Sequence, residues 1–145
     1  MDDMNRILIA TDGSEYTKEA ISRGLYLAKV LGAEVTVLYV VDQTQFVSFP
    51  MDSSIVSVYS LLEKEGKKAV EDVVAEGEKV GVKVTPMVVE GSPTRKIVEV
   101  AADFDLVVMS TLGRSALSKL FMGSVAERVT RYAPCPVLVV RCKKR

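Results

Sequence analysis

The 145-residue chain contains no histidine and no tryptophan. Without an imidazole, histidine-based acid–base and nucleophile-activating chemistry is excluded, as is any metal site built on histidine ligands. Only two cysteines are present, Cys135 and Cys142, and two thiols alone do not make a zinc site. On one extended segment they would stand roughly 20 Å apart, beyond disulfide reach. No intrachain bridge is expected, which fits a reducing cytoplasm. An excess of one charge sign is also missing, since 19 Lys and Arg balance 19 Asp and Glu. Net neutrality gives no general pull toward nucleic acid or an anionic membrane, so any polyanion site must be local. No apolar run reaches the length of a membrane span. The start, Met1-Asp2-Asp3-Met4-Asn5, lacks the basic-then-apolar order of a signal peptide. The expectation is a cytoplasmic protein with no nucleic-acid or membrane partner.

What is there is 48% hydrophobic and 26% charged, an ordinary balance for a globular protein, and enough chain for one domain over residues 1–145 with a real core. Apolar runs of strand length alternate with helix-period segments, the pattern of a parallel sheet with crossover helices. Strand 1 is Arg6 to Ala10, apolar enough to be buried on both faces. The polar turn Thr11-Asp12-Gly13-Ser14 follows, then a helix from about Glu15 to Leu31 with Ile21, Leu25 and Ala28 on its buried face. Gly32 is placed to end it in a left-handed conformation. Strand 2 is Glu34 to Val41, and Asp42 to Asp52 reads as a loop. Ser53 or Ser54 caps a second helix reaching Val80, with Leu62, Ala69, Val73 and Val80 turned inward. Gly66 and Gly77 weaken that helix intrinsically and suit a close approach to the sheet. Strand 3 is Val82 to Val89. Gly91-Ser92-Pro93 supplies a turn, an N-cap and a first-turn proline for a helix over Thr94 to Ala102. Strand 4 is Leu106 to Ser110. A fourth helix opens at Gly123-Ser124 and ends near Tyr132, before Pro134 and Pro136, and strand 5 is Val137 to Arg141.

Five parallel strands most simply make a doubly wound α/β sheet of order 3-2-1-4-5 with flavodoxin-like layering. Ligands of such sheets bind outside the C-terminal ends of the strands where the winding reverses, here strands 1 and 4. Two loops therefore matter: Thr11 to Ser14, and the segment after Ser110. Asp12 can accept hydrogen bonds from a ribose or engage a phosphate-bound metal; alone, it reads better as a turn or N-cap aspartate. Gly113 lets backbone approach an anion. Gly123-Ser124 offers open N–H groups, a hydroxyl and the positive end of a helix dipole, although capping alone accounts for that pair. Together at the switch point these elements point to anion binding. Arg114 and Lys119 add local positive charge; Lys119 reads better as solvated surface.

Three segments carry a resemblance: RILIATDGSE at Arg6 to Glu15, Gly113-x9-Gly123-Ser124, and Pro134-Cys135-Pro136 followed by Val137 to Val140. In order and spacing, over essentially the whole chain, they resemble the universal stress protein (UspA-like) family. The resemblance implies the doubly wound, adenine nucleotide alpha hydrolase-like fold, frequent dimerisation and, in a large subset, ATP binding through Gly-x2-Gly-x9-Gly-(Ser/Thr). Gly113, Gly123 and Ser124 match that signature, while Ser110 stands at its first glycine. That serine either crowds the nucleotide or supplies a replacement hydrogen bond. Carried over by position, Ala10, Thr11, Asp12 and Val40 line the adenine and ribose pocket with Met109 beside them. Gly113, Arg114, Gly123, Ser124 and Val125 then surround the phosphates. Val40 and Met109 rest on the resemblance alone, since both also read as ordinary strand residues.

The expected function is an adenine-nucleotide-binding stress-response or signalling module. It takes ATP, ADP or AMP, with Mg or Mn held mainly through phosphate oxygens, and works with a protein partner the sequence does not name. The alternative is a dimeric stress or interaction protein that binds no nucleotide. An enzyme is disfavoured: there is no GxxxxGK[ST], no GxGxxG after strand 1 and no visible nucleophile–base pair. Slow ATP hydrolysis stays open, because such a site can hold phosphates and metal. A phosphorylation receiver is rejected, since Asp12 has no acidic neighbour, Glu90 ends strand 3, and Lys143 and Lys144 lie in the tail. Finally, Val137 to Arg141 would form an apolar edge strand, which predicts a twofold homodimer pairing strand 5 with its mate.

Overall fold

A computed structural model describes residues 3–43, 53–113 and 122–142. At its centre lies β1 (Arg6–Ala10), four of whose five residues are buried. It is flanked by β2 (Glu34–Asp42) and β4 (Leu106–Ser110), with β3 (Val84–Gly91) and β5 (Val137–Val140) outside them. All pairings are parallel and the order is β3-β2-β1-β4-β5. The expected architecture is therefore the observed one.

Alternation along each strand divides the core into two. Ile7, Ile9, Val35, Val37, Tyr39, Leu106 and Val108 face α1 (Lys18–Leu31) and α2 (Ser53–Val80). Leu8, Ala10, Leu38, Val107 and Met109 face α3 (Pro93–Ala101) and α4 (Ser124–Tyr132). Strands covered on both faces need continuous apolar runs, which is why RILIA and LVVM carry no alternation of their own.

The helices follow the expected pattern with local changes. Ile21, Leu25 and Ala28 are buried, and Gly32 ends α1 at φ +70°. The first turn of the expected helix is a separate 3-10 turn, Glu15–Thr17. In α2 the inward face is Gly66, Val70, Val73 and Gly77, with Leu62 and Ala69 half-buried. A Cβ on Gly66 would meet the Tyr39 ring, and one on Gly77 would meet Val84; both glycines let the helix lie close on the sheet. Val80, expected on that face, is 44% exposed, because the helix has by then run past the edge of its contact with β3. Both Ser53 and Ser54 lie inside α2, so neither precedes it as a cap.

Strand 3 also moves. It starts at Val84 because the Val82 N–H donates to the Gly77 carbonyl at 2.8 Å, closing the end of α2. It then runs to Gly91, paired with Asp42 of β2, so Asp42 belongs to a strand and not to the loop. Of the rest of that loop, Gln43 is described and 44–52 lie outside the described residues. Pro93 opens α3 as expected, but Ser92 makes no side-chain cap hydrogen bond. At the far edge β5 pairs, among the described residues, only with β4 and ends at Val140, one residue before the expected Arg141. Among the described residues no helix is long and apolar enough to cross a membrane.

Candidate functional site

At the C-terminal ends of β1 and β4 the structure holds a cavity of about 260 Å³. Its floor comes from the strand positions that face α3 and α4. Ala10 ends β1, Leu38 and Val40 stand on β2, and Met109 on β4, with Ile97 of α3 opposite. Val40 and Met109, indistinguishable in sequence from ordinary strand residues, are placed here by register.

The turn after β1 forms one polar wall. The Thr11 N–H donates to the Leu38 carbonyl at 3.0 Å, carrying the ladder one residue past the strand. The chain then reverses through Gly13 at φ +80°. The Gly13 N–H donates to Thr11 Oγ1 at 3.0 Å, and the Ser14 N–H to Asp12 Oδ1 at 2.9 Å, the side-chain turn that aspartate favours. Thr17 Oγ1 donates to the Ser14 carbonyl at 2.9 Å. Because that carbonyl only accepts, Thr11 is the donor in the buried 2.8 Å contact between the two threonine hydroxyls. The Thr11 side chain thus positions the Asp12 turn, while the residue still borders the cavity.

The second wall is the end of β4 and the start of α4. Ser110 has its side chain on the α1 side, where Oγ donates to the Tyr16 carbonyl at 2.8 Å and accepts from the Leu112 N–H at 3.2 Å. Its hydroxyl is committed to joining β4 to the 3-10 turn. Gly113 faces Asp12: a Cβ there would stand 2.7 Å from Asp12 Oδ2. The group Gly113 admits in this structure is the Asp12 carboxylate, so the two loops meet at that pair. Gly123 is the residue before α4 (φ −65°, ψ 158°), and its N–H donates to the Thr111 carbonyl at 2.6 Å. A Cβ on Gly123 would come within 3.1 Å of that carbonyl. The first hydrogen bond of α4 runs from the Glu127 N–H to the Gly123 carbonyl. The helix itself therefore leaves the N–H groups of Ser124, Val125 and Ala126 unbonded, and all three residues line the cavity.

Ala10, Thr11, Asp12, Val40, Met109, Ser110, Gly113, Gly123, Ser124 and Val125 all border this one cavity. Arg114, expected beside the phosphates, lies outside the described residues, as does Lys119. The sequence reading missed Asp42, Pro93 and Thr111, which also line it. Asp42 was hidden by its assignment to a loop. Pro93 is there because α3, like α4, begins at the same end of the sheet. Thr111 had no signal, since only the end of β4 brings it to the cavity. One residue past Asp42, Gln43 Nε2 donates to Glu90 Oε1 at 2.9 Å and to Tyr59 Oη at 3.4 Å. Partial burial of the Tyr59 phenol, then its hydrogen bond with Glu90, raises its pKa above the ordinary value. Among the described residues no group of three or more acidic or thiol side chains is placed to hold a metal ion. Among the described residues, Asp12 and Asp42 are the carboxylates at the cavity.

The chemistry of this arrangement is an apolar slot continuous with a helix N-terminus, suited to a planar base joined to phosphate. The sequence profile of the universal stress protein family matches residues 4–141. Universal stress protein MJ0531 of Methanocaldococcus jannaschii is 42% identical over 97% of this chain and 84% of its own length. The solved structure of MJ0577, a universal stress protein from the same organism, superposes with a TM-score of 0.82 at 30% identity, covering 99% of this chain and 100% of that one. A universal stress protein solved in complex with cAMP shares the fold at a TM-score of 0.72 and 21% identity, over 98% and 100% of the two chains.

Proposed function

The chain belongs to the universal stress protein family, and from that premise we propose that it is an ATP-binding member acting as a stress-response or signalling module. The observation that carries this reading is the meeting of an apolar floor with the N-terminus of α4 in one cavity. Adenine lies on Ala10, Val40 and Met109, and the ribose reaches the Asp12 turn. The phosphates lie against Gly113, Gly123, Ser124 and Val125, where open N–H groups and the helix dipole favour negative charge. Arg114 is assigned to the same phosphates. A divalent ion, Mg or Mn, is held through phosphate oxygens, with Asp12 and Asp42 at hand. The binding of cAMP by a protein of the same fold accords with adenine as the base. We assign no enzymatic step to the site, whose described residues supply no nucleophile paired with a base. Titration calorimetry with ATP, ADP and AMP tests the reading. Stoichiometric heat with a rise in melting temperature is expected; no heat and no shift with any of the three overturns it.

The exposed edge favours a second element of the reading. Leu138 on β5 is 38% exposed beside half-buried Val137, Val139 and Val140, and apolar edges of this kind are normally paired or covered. We propose a twofold dimer joined through β5. Sedimentation at micromolar concentration should give a dimer, and a monomer there ends this proposal. If the dimer forms but mass analysis finds no nucleotide released from purified protein and none binds, the chain is an interaction module without nucleotide. Cytoplasmic action is part of the same proposal, and the free thiols of Cys135 and Cys142 fit it.

A further inference from the structure

Among the described residues β3 and β5 each pair with one neighbour only, so the sheet has two edges. The β3 edge is eight residues long and the β5 edge four. The outward N–H and C=O groups of an edge are a template for a strand of another chain, and a long edge is the better template. On length alone, β3 is the edge that should capture a second copy. Its side chains do not forbid it, since Met87, Val88 and Val89 are apolar and half-buried. What sets β3 apart is Pro86 in its interior, whereas β5 carries no proline. The Val35 N–H donates to the Lys83 carbonyl at 3.0 Å, with Val35 in register with Val84. In a parallel ladder the bonded residues alternate along the strand. Thr85, Met87 and Val89 therefore turn their N–H groups to β2, and the backbone nitrogens of Val84, Pro86, Val88 and Glu90 face away from it. Pro86 removes no bond from the sheet; the donor it lacks is one that an added strand would need.

We propose that Pro86 closes the β3 edge to a second copy of this chain and so confines strand-to-strand association to β5. Twofold pairing of β3 with its mate is antiparallel and sets outward residues against outward residues. Centred on Met87, it places Pro86 against Val88 of the partner subunit; centred on Val88, against Glu90 of the partner subunit. Centred on Pro86, it brings the two prolines together. By symmetry each arrangement loses two donors and puts two pyrrolidine rings between the backbones. Two open edges, each pairing through its own twofold axis, would build an endless sheet, and one closed edge stops the assembly at a pair. Only the size at which assembly stops rests on the β5 reading; the closing of β3 follows from its register with β2.

The test compares the full-length parent with Pro86→Thr, and with the double variant Pro86→Thr, Val88→Pro, by sedimentation at micromolar concentration and by thermal melting. Pro86→Thr supplies the missing donor on a residue suited to a strand. It should melt within about 4 °C of the parent and sediment at twice the parental mass or more. The double variant returns a proline to another outward position, so it should sediment with the parent. The parent alone decides the β5 dimer: if it is a monomer, that reading falls, and Pro86→Thr should then form the dimer. A Pro86→Thr protein of parental size overturns the closing of β3 and leaves the β5 reading as it stands. Growth that persists in the double variant also overturns it, since the contact would not run through the outward backbone of β3. A Pro86→Thr protein that melts far below the parent makes the proline a structural support, which ends the proposal as well.

Discussion

In the turn after β1, the hydroxyls of Thr11 and Thr17 and the N–H groups of Gly13 and Ser14 bond to one another or to their neighbours. In the segment joining β4 to α4, the backbone is closed by the Gly123–Thr111 bond, but the N–H groups of Ser124, Val125 and Ala126 have no acceptor within the helix, and these residues line the cavity. One loop spends its backbone donors and its threonine hydroxyls on its own shape, Ser14 Oγ excepted; the other keeps backbone donors that its helix does not use. A turn whose backbone donors are used is a rigid wall that presents a carboxylate. A helix start whose donors are unspent is an anion seat. On the proposed nucleotide reading, the difference gives the two ends of the cavity to the sugar and the phosphates, and each assignment can be attacked separately.

The largest effect is expected where the open loop is closed by substitution. Gly123→Val places side-chain atoms against the Thr111 carbonyl, already 3.1 Å from a bare Cβ, and pushes the start of α4 out of line with the cavity. Several charge-assisted bonds are lost together, so ATP affinity should fall by about a hundredfold or more. Calorimetry that finds ATP binding intact in this variant would place the phosphates elsewhere and dissolve the distinction between the loops.

The turn after β1 predicts the opposite division between stability and binding. Thr17→Val keeps the shape of a buried residue but leaves the Thr11 hydroxyl without its acceptor and the Ser14 carbonyl with the Thr17 N–H as its remaining donor. Unfolding in urea should show a loss of about 1–3 kcal/mol. ATP affinity should fall by much less than in Gly123→Val, because the hydroxyl removed is spent on Thr11 and Ser14 although Thr17 borders the cavity. A variant as stable as the parent but unable to bind would show that the turn, too, holds its groups for the ligand.

How much of this could be read from residues alone follows from the range of the forces involved. The sheet order came from alternating runs and the switch-point rule, which depend on local pattern. The same logic brought Asp12 and Gly123 to one place, and the family likeness added Val40 and Met109. Features set by contacts distant in sequence were not legible. The start of strand 3 was misplaced because Val82 gives its N–H to Gly77, a helix-closing bond that no apolar pattern reports. Val80 was turned inward by its period, but burial depends on where the sheet ends. Thr111 looked like any residue after a strand, and the fate of the Ser110 side chain depended on a carbonyl 94 positions away.

Ser110 is where the two loops are joined, and it gives the smallest expected change in binding. The sequence allowed a serine at the first signature glycine either to crowd a nucleotide or to replace a hydrogen bond to it. In this structure the hydroxyl is turned to the α1 side, where its bonds to Tyr16 and Leu112 hold β4 to the 3-10 turn. Restoring glycine with Ser110→Gly should therefore cost stability, about 1–2 kcal/mol from the lost hydrogen bonding and the added freedom of the unfolded chain. ATP affinity should stay within about threefold of the parent, because no ligand-facing group is removed. Paired urea unfolding and calorimetry separate the outcomes. A gain in affinity beyond tenfold, with stability unchanged, would mean that the serine obstructs the nucleotide, and that the join between the loops is a constraint on the site and not its support.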